Sequence, residues 1–324
     1  MIPVSHSPIR TANDYGYHGV MDPLTSIVDR PDLATVALSG NDVLRYLHAV
    51  CTQHTLDLQP GDASQALLLS PKGKIEFAFG LAVLPEGVLL DTEAGAAPAL
   101  AERLARFVFR YDVAVGPPLP GAASLLGPGA GDALAAAGLP VPAPGRAEAA
   151  GPGLVVRHTP AGADLLGPGT PAAFAGLQRA GVASGPPELW ELARVAAGLP
   201  RHGRELTDDV LAEEAGLLGS HVHLDKGCYP GQETVARVHN LGQVQRRLAG
   251  LRFEPAADPG RDGLPEPRTD LLTDDGRRAG QLRSVVDHPR LGPIGLAYVR
   301  RVVETGRLVR AGDRVATVVD LPFA

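Results

Sequence analysis

Two glycines, Gly227 and Gly231, bracket the segment Cys228-Tyr229-Pro230. Glycine opens backbone conformations closed to other residues, and proline fixes one torsion between them. The stretch is therefore read as a tight, preformed bend and not as the interior of a helix. It presents one of only 2 cysteines in the chain, with Lys226 before it and Glu233 after it. The thiolate is the reactive form of cysteine; a nearby cation favours it and a nearby carboxylate opposes it. Cys228 is thus a candidate catalytic thiol and Lys226 its candidate activator. The competing reading is a small buried hydrophobe beside a solvated lysine. The residues of the loop leave both open.

A chain of 324 residues can bury a large core and divide into two or three domains. Its net charge of −6 argues against a surface that coats nucleic acid, so nucleic acid is not an expected partner. Cys51 and Cys228 are too few for a disulfide framework and form no zinc-type pair. A reducing, cytoplasmic location is the expectation. The N-terminal residues Met1 to Pro8 show no secretion-signal pattern, and no apolar run reaches the ~20 residues of a membrane span.

Along the chain, Leu33 to Leu38 reads as a strand and Asp42 to Val50 as an amphipathic helix, with Val43, Leu44, Leu47 and Val50 on one face. Ser70 to Lys74 reads as a hairpin turn between strands at 66–69 and 75–84. A strand at 87–91, a helix over 96–109 and a strand from Tyr111 to Val115 follow. The Gly/Pro/Ala-rich stretch 116–153 is expected to be loop or linker apart from a short helix at 131–137. A hairpin over 155–166 and helices over 170–180 and 187–197 come next, and 234–238 fits either helix or strand. From Gln245 the pattern changes to short β-type runs at 247–253, 268–274, 278–286, 294–299 and 313–319, separated by turns such as Asp258-Pro259-Gly260. Closely spaced strands without long helices indicate a small barrel or sandwich. The expected organisation is α+β: a region 1–244, as one unit or two subdomains, and a C-terminal β-barrel over 245–324. No repeat of solenoid length is visible.

The run from Lys226 to Leu248 resembles the signature of the YgfZ family, folate-binding relatives of the glycine-cleavage aminomethyltransferase (T protein). The pattern K-G-C-[FY]-x-G-Q-E is met at Lys226, Gly227, Cys228, Tyr229, Gly231, Gln232 and Glu233, and its continuation at Ala236-Arg237 and Gly242 through Arg247. Thr52-Gln53, Pro71 to Lys74, Glu214 to Leu217, Val222 to Asp225, and Trp190 with Arg194 and Ala197 to Pro200 are similar to further family segments. The resemblance implies an aminomethyltransferase-like, folate-binding fold, tetrahydrofolate as cofactor, and support of iron–sulfur proteins and tRNA modification. Iron–sulfur client or assembly proteins would be the partners. Two departures weaken the alternative of a tetrahydrofolate-dependent aminomethyltransferase or demethylase. The transferases' glutamate before the Ala-Gly pair is replaced by Ala196, and residues 74–80 offer only Glu76 in place of an aspartate.

The resemblance assigns a folate pocket to Trp190, Tyr229, Gln232, Glu233 and Arg237. The broad face of Trp190 suits stacking on a pterin or aryl ring, or it fills the core. Arg237 and Lys226 suit the anionic tail, the arginine as a fork. Gln232 and Glu233 suit the thiol or the loop backbone. His221, His223 and His239 lack a fixed ligand spacing, so no metal is expected.

Overall fold

The computed structural model describes residues 25–242, 244–255 and 263–323. The N-terminal residues and the turn Asp258 to Gly260 lie outside them. The described chain forms two six-stranded sheets and a closed six-stranded barrel, with short helices laid on the sheets.

The two sheets repeat one plan. In the first, the chain runs through strand Leu33–Ser39, helix Val43–Val50, strands Ala63–Leu69, Ile75–Leu84 and Gly87–Glu93, helix Ala97–Ala105 and strand Ala114–Val115. In the second, it runs through strand Ala122–Leu126, helix Ala130–Ala136, strands Ala147–Ala149, Val155–Thr159 and Gly162–Leu166, helix Thr170–Arg179 and strand Ala183–Gly185. In both, the second, third and fourth strands lie side by side, followed by the first and then the last. Each sheet adds one strand to this plan: Leu119–Pro120 pairs with the first strand of the first sheet, and Ser26–Asp29 inserts between the first and last strands of the second. Local geometry repeats as well. Gly87 (φ +149°) and Gly162 (φ +144°) open corresponding strands, and a Cβ on either would meet a backbone oxygen, of Leu38 or Leu125, at 2.1 Å. A duplicated α+β unit is present that the sequence does not display as a repeat.

Each unit buries its helices against its own sheet. Tyr46, Leu47, Leu100 and Leu104 pack on the first sheet, and Leu134, Ala173 and Leu177 on the second. The sheets then meet through small apolar residues, among them Leu33, Ala82, Ala122 and Val155. The barrel strands are Arg246–Phe253, Asp270–Leu272, Arg278–His288, Gly292–Arg300, Leu308–Ala311 and Arg314–Val319. Burial alternates along Arg314–Val319, the period-two signature of a half-buried strand. Helix Pro187–Ala196 joins the second unit to the barrel, packing Val195 and Ala196 against Val286, Ile294, Leu296 and Phe323.

Two expectations are corrected. The stretch 116–153 is not a linker: Ala122–Leu126, buried at every residue, is an interior strand of the second sheet. Short side chains buried on both faces erase the polar alternation that marks a half-exposed strand. Of Tyr111 to Val115, only Ala114–Val115 pairs as a strand. The undecided stretch 234–238 is helical, within Gln232–Leu241.

The bend that opens this last helix is locked to the hairpin turn. Gly231 adopts φ +83°, and a Cβ there would lie 2.6 Å from the Ser70 oxygen and 3.0 Å from Gly73 Cα. Gly138 has a similar φ of +70° but open space around it, and so separates backbone strain from collision. Gly138→Ala is expected to cost about 1–2 kcal/mol. Gly231→Ala should cost at least ~1 kcal/mol more, because the added carbon overpacks a backbone contact. Urea unfolding of the two variants checks this; equal losses would refute the interlock.

Candidate functional site

Where the two units, helix Pro187–Ala196 and one end of the barrel meet, the fold leaves a cavity of about 680 Å³. That volume lies within the range of small-molecule sites. Phe79, Leu206, Leu217, Leu248 and Leu321 supply apolar wall, and Asp91, Glu93, Arg157, Asp164, Arg30 and Arg201 supply charge.

The charges form a continuous chain. Arg157 donates to both carboxylate oxygens of Asp91 and, at 2.9 Å, to Asp164. It sits where Gly80 has no side chain, since a Cβ there would lie 2.0 Å from Arg157 Nη1. Ser124 Oγ donates to Asp164 at 2.8 Å and accepts from Arg30 at 3.1 Å. Arg30 holds Asp32 with two bonds of 2.9 and 3.0 Å. Arg201 then bridges Asp32 (2.8 Å) and Glu93 (2.6 Å) and approaches Glu191 at 3.9 Å. Arg194, 1% exposed, reaches Glu191, Glu205 and the barrel's Ser284. Burial works against the Asp32 charge, yet Arg30 and Arg201 hold its carboxyl below the usual range. Burial pushes the Glu93 carboxyl up despite Arg201.

Trp190 lies on the cavity wall. The Arg30 guanidinium stacks at 3.4 Å from the centre of its ring, so one face of the indole is already covered. The ligand-stacking expectation therefore applies to the opposite face alone. Of the other sequence-derived candidates, Cys228, Lys226, Tyr229, Gln232, Glu233 and Arg237 are not among the cavity-lining residues. Cys228, Glu233 and Arg237 are exposed on the outside, and Tyr229 is buried in an apolar cluster with Leu69, Ile75 and Val235. Gln232 opens the helix after the bend. The structure thus separates two places that sequence reasoning had joined: an interior cavity containing Trp190 and an exposed thiol loop.

Lys226 is not free to activate Cys228. Its side chain is buried, and Nζ donates to the backbone oxygens of His48 (2.5 Å), Cys51 (2.5 Å) and Gln53 (3.1 Å). These oxygens sit at and just beyond the C-terminus of helix Val43–Val50, where carbonyls lack intrahelical partners and attract a cation. Burial pushes the Lys226 amine down to about 8, and the thiol that acts on it is the buried Cys51. Thr52 completes the clamp: Oγ1 donates to His221 O at 2.6 Å, and Thr52 O accepts from His223 N at 3.0 Å. The Thr-Gln segment therefore serves to hold the approach to the thiol loop.

Sequence reasoning missed Asp91, Glu93, Arg157 and Asp164. The available signal was Leu-Leu-Asp-Thr-Glu at 89–93, in which two carboxylates two residues apart share one face of a strand that is otherwise apolar. The carboxylates sought at Ala196 and Glu76 lie elsewhere. Ala196 is wholly buried against the barrel, and Glu76 pairs with Arg103 at 3.1 Å.

Comparison with known proteins places this geometry in context. No protein-family model matches the chain. Over 142 residues it is 33% identical to the mitochondrial iron-sulfur cluster assembly factor IBA57 of Homo sapiens, a match covering 42% of this chain and 38% of that one. Over 134 residues it is 33% identical to an aminomethyltransferase of Rubrobacter xylanophilus, covering 40% of this chain and 34% of that one. The matches thus span little more than a third of these relatives. The solved structure of glycine cleavage system aminomethyltransferase T from Bartonella henselae superposes with a TM-score of 0.79 at 22% identity, covering 96% of this chain and 89% of that one. Among the described residues no helix is long and apolar enough to cross a membrane.

Removal of the Lys226 ammonium should take the charged donor from three backbone oxygens, leaving Gln53 O only the weak Cys51 thiol at 3.8 Å. Lys226→Met is expected to destabilise the protein by about 2–4 kcal/mol. Chemical denaturation measures this, and a loss below ~0.5 kcal/mol would show that the amine is not a structural pin. The fold that carries both the cavity and this pinned loop is that of aminomethyltransferase T.

Proposed function

We propose that the cavity binds a reduced folate, tetrahydrofolate, and that the protein uses it in support of iron–sulfur cluster assembly or repair. The observation that carries this is a cavity of about 680 Å³ with apolar walls, a tryptophan and a set of buried carboxylates, in a fold shared with an aminomethyltransferase. A pterin is flat and rich in N–H donors, which suits Phe79 and Trp190 as walls and carboxylates as acceptors. Trp190, Phe79, Asp91 and Glu93 would hold it. When bound, tetrahydrofolate supplies nitrogens able to carry a one-carbon unit. The iron–sulfur part of the reading rests on similarity to the human assembly factor over part of the chain. Cys228 would then act on the outer face, where a partner protein or cluster can reach it.

A second reading, aminomethyl transfer or demethylation on tetrahydrofolate, requires a carboxylate near the folate nitrogens. Asp91, Glu93 and Asp164 meet that requirement in type and are each bound to arginine. Turnover of a methylated or aminomethyl amine with tetrahydrofolate would favour it over the first reading.

Trp190 is the only tryptophan, so its fluorescence reports the cavity directly. Titration with tetrahydrofolate is expected to give a saturable change in the micromolar to sub-millimolar range. In Trp190→Phe the signal disappears while dialysis still detects binding. Absence of a saturable change and of dialysis binding at millimolar ligand would overturn the folate reading. In cells lacking their own assembly factor, Cys228→Ala is expected to fold but not to restore iron–sulfur enzyme activity; full restoration would remove the thiol from the function.

A further inference from the structure

Four arginines line the cavity, yet none has charge to spare. Arg30 is spent on Asp32, Arg157 on Asp91 and Asp164, Arg194 on Glu191 and Glu205, and Arg201 on Asp32 and Glu93. Six carboxylates, Asp32, Asp91, Glu93, Asp164, Glu191 and Glu205, thus face these four guanidiniums. Arg204, 3.8 Å from Glu191 at the edge, brings the cations only to five. Burial lowers the pKa of the cavity histidines His202 and His221, the latter to about 4, so neither adds a cation near neutrality. The cavity lining also includes Asp320, an exposed carboxylate that accepts from Thr305. Lys226 and Arg237, the cations expected to receive an anionic tail, do not line the cavity.

The carboxylates are not equally engaged. Both oxygens of Asp91 are taken by Arg157, and those of Asp164 by Ser124 and Arg157. Glu93, at the end of strand Gly87–Glu93, receives one bond, from Arg201 to Oε2. Among the described residues no donor reaches its Oε1. Its side chain is 17% exposed and lies on the cavity wall. A partly buried carboxylate of this kind gains most from a ligand that brings adjacent N–H donors.

We infer that the cavity recognises the donor-bearing pterin head through Glu93 and is indifferent to the anionic glutamate tail, so that its ligand class is reduced pterins with or without that tail. This rests on the reading of the cavity as a folate site and narrows it to one recognition residue. Carboxylates outnumber guanidiniums in the ion-pair network around the cavity, although Asp32, Glu191 and Glu205 stand behind its lining. A polyanionic tail therefore finds no attraction there, while a neutral head whose amino and ring N–H groups lie side by side is suited.

Anaerobic calorimetric titration of the full chain with tetrahydropteroate, tetrahydrofolate and its triglutamate tests this at low and at high salt. The three dissociation constants are expected to agree within about fivefold at both salt concentrations, because among the described residues every arginine that lines the cavity is already paired with a carboxylate. A triglutamate bound more than about fivefold tighter at low salt, with the advantage lost at high salt, would overturn the inference and leave the folate reading standing. Binding of none of the three would overturn both. Glu93→Gln should weaken all three by about tenfold or more, through loss of a charge-assisted acceptor. By releasing part of the Arg201 charge, it should also make the triglutamate the tightest of the three. Glu93→Asp keeps the charge and should weaken binding without creating that preference. Unchanged affinities in both variants would exclude Glu93 as the recognition residue.

Discussion

A charge buried without a partner costs several kcal/mol, and that rule holds this molecule together around its cavity. Arg157 and Arg194 are both nearly inaccessible to water, so their carboxylate partners must stay beside them. Those partners are spread over the whole fold: Asp91 on the first sheet, Asp164 on the second, Glu205 on the segment leading to the thiol loop. Ser284 brings in the barrel, donating to Glu205 and accepting from Arg194. No sheet can move away from the others without stranding a charge. Replacing such a network with apolar residues is often neutral for stability, so its presence points to a requirement for polarity at this place. A wall that seals the junction of two sheets and a barrel around a cavity meets that requirement.

The duplication explains where the cavity falls. Two copies of one unit pack through their small residues Ala82, Ala122 and Ala147, which brings their hairpins face to face. Arg157 and Asp164 lie directly opposite one another in the second hairpin, as Gly80 and Asp91 do in the first. One arginine therefore serves both aspartates, and the glycine across from Asp91 provides the room for it. Had both positions carried arginine, two guanidiniums would have competed for one space.

The parts of this arrangement legible in the sequence were those set by local chemistry. The bend at Gly227 to Gly231, the turn at Ser70 to Lys74 and the short strands of the barrel follow from glycine, proline and alternation, and each is found in the structure. What stayed hidden depends on contacts distant in sequence. Lys226 stands two residues from Cys228, but its side chain crosses to carbonyls more than 170 residues away, so adjacency in sequence said nothing about which group the ammonium serves. The strand Ala122–Leu126 lies in a stretch rich in Gly, Pro and Ala, where no polar face remains to set a period. Of the charged wall, the sequence displays the paired carboxylates Asp91 and Glu93 but not their partners: Arg157 and Asp164 meet Asp91 only when the two sheets pack together.

The cavity and the thiol loop share one piece of backbone, and that bears on how ligand and loop relate. Leu217, Ser220 and His221 line the cavity, and five residues after His221 the chain reaches Lys226. Thr52 fixes this piece at His221 and His223, Lys226 fixes its far end, and Gly231 is wedged against the hairpin turn. Every one of these anchors belongs to the first unit or its turn, not to a ligand. The wall is therefore held in place before anything enters, and binding need not meet the cost of ordering it. The same anchors hold the Cys228 loop at the surface at a position set by the fold. The thiol is thus open to the outside and is not among the residues that line the cavity.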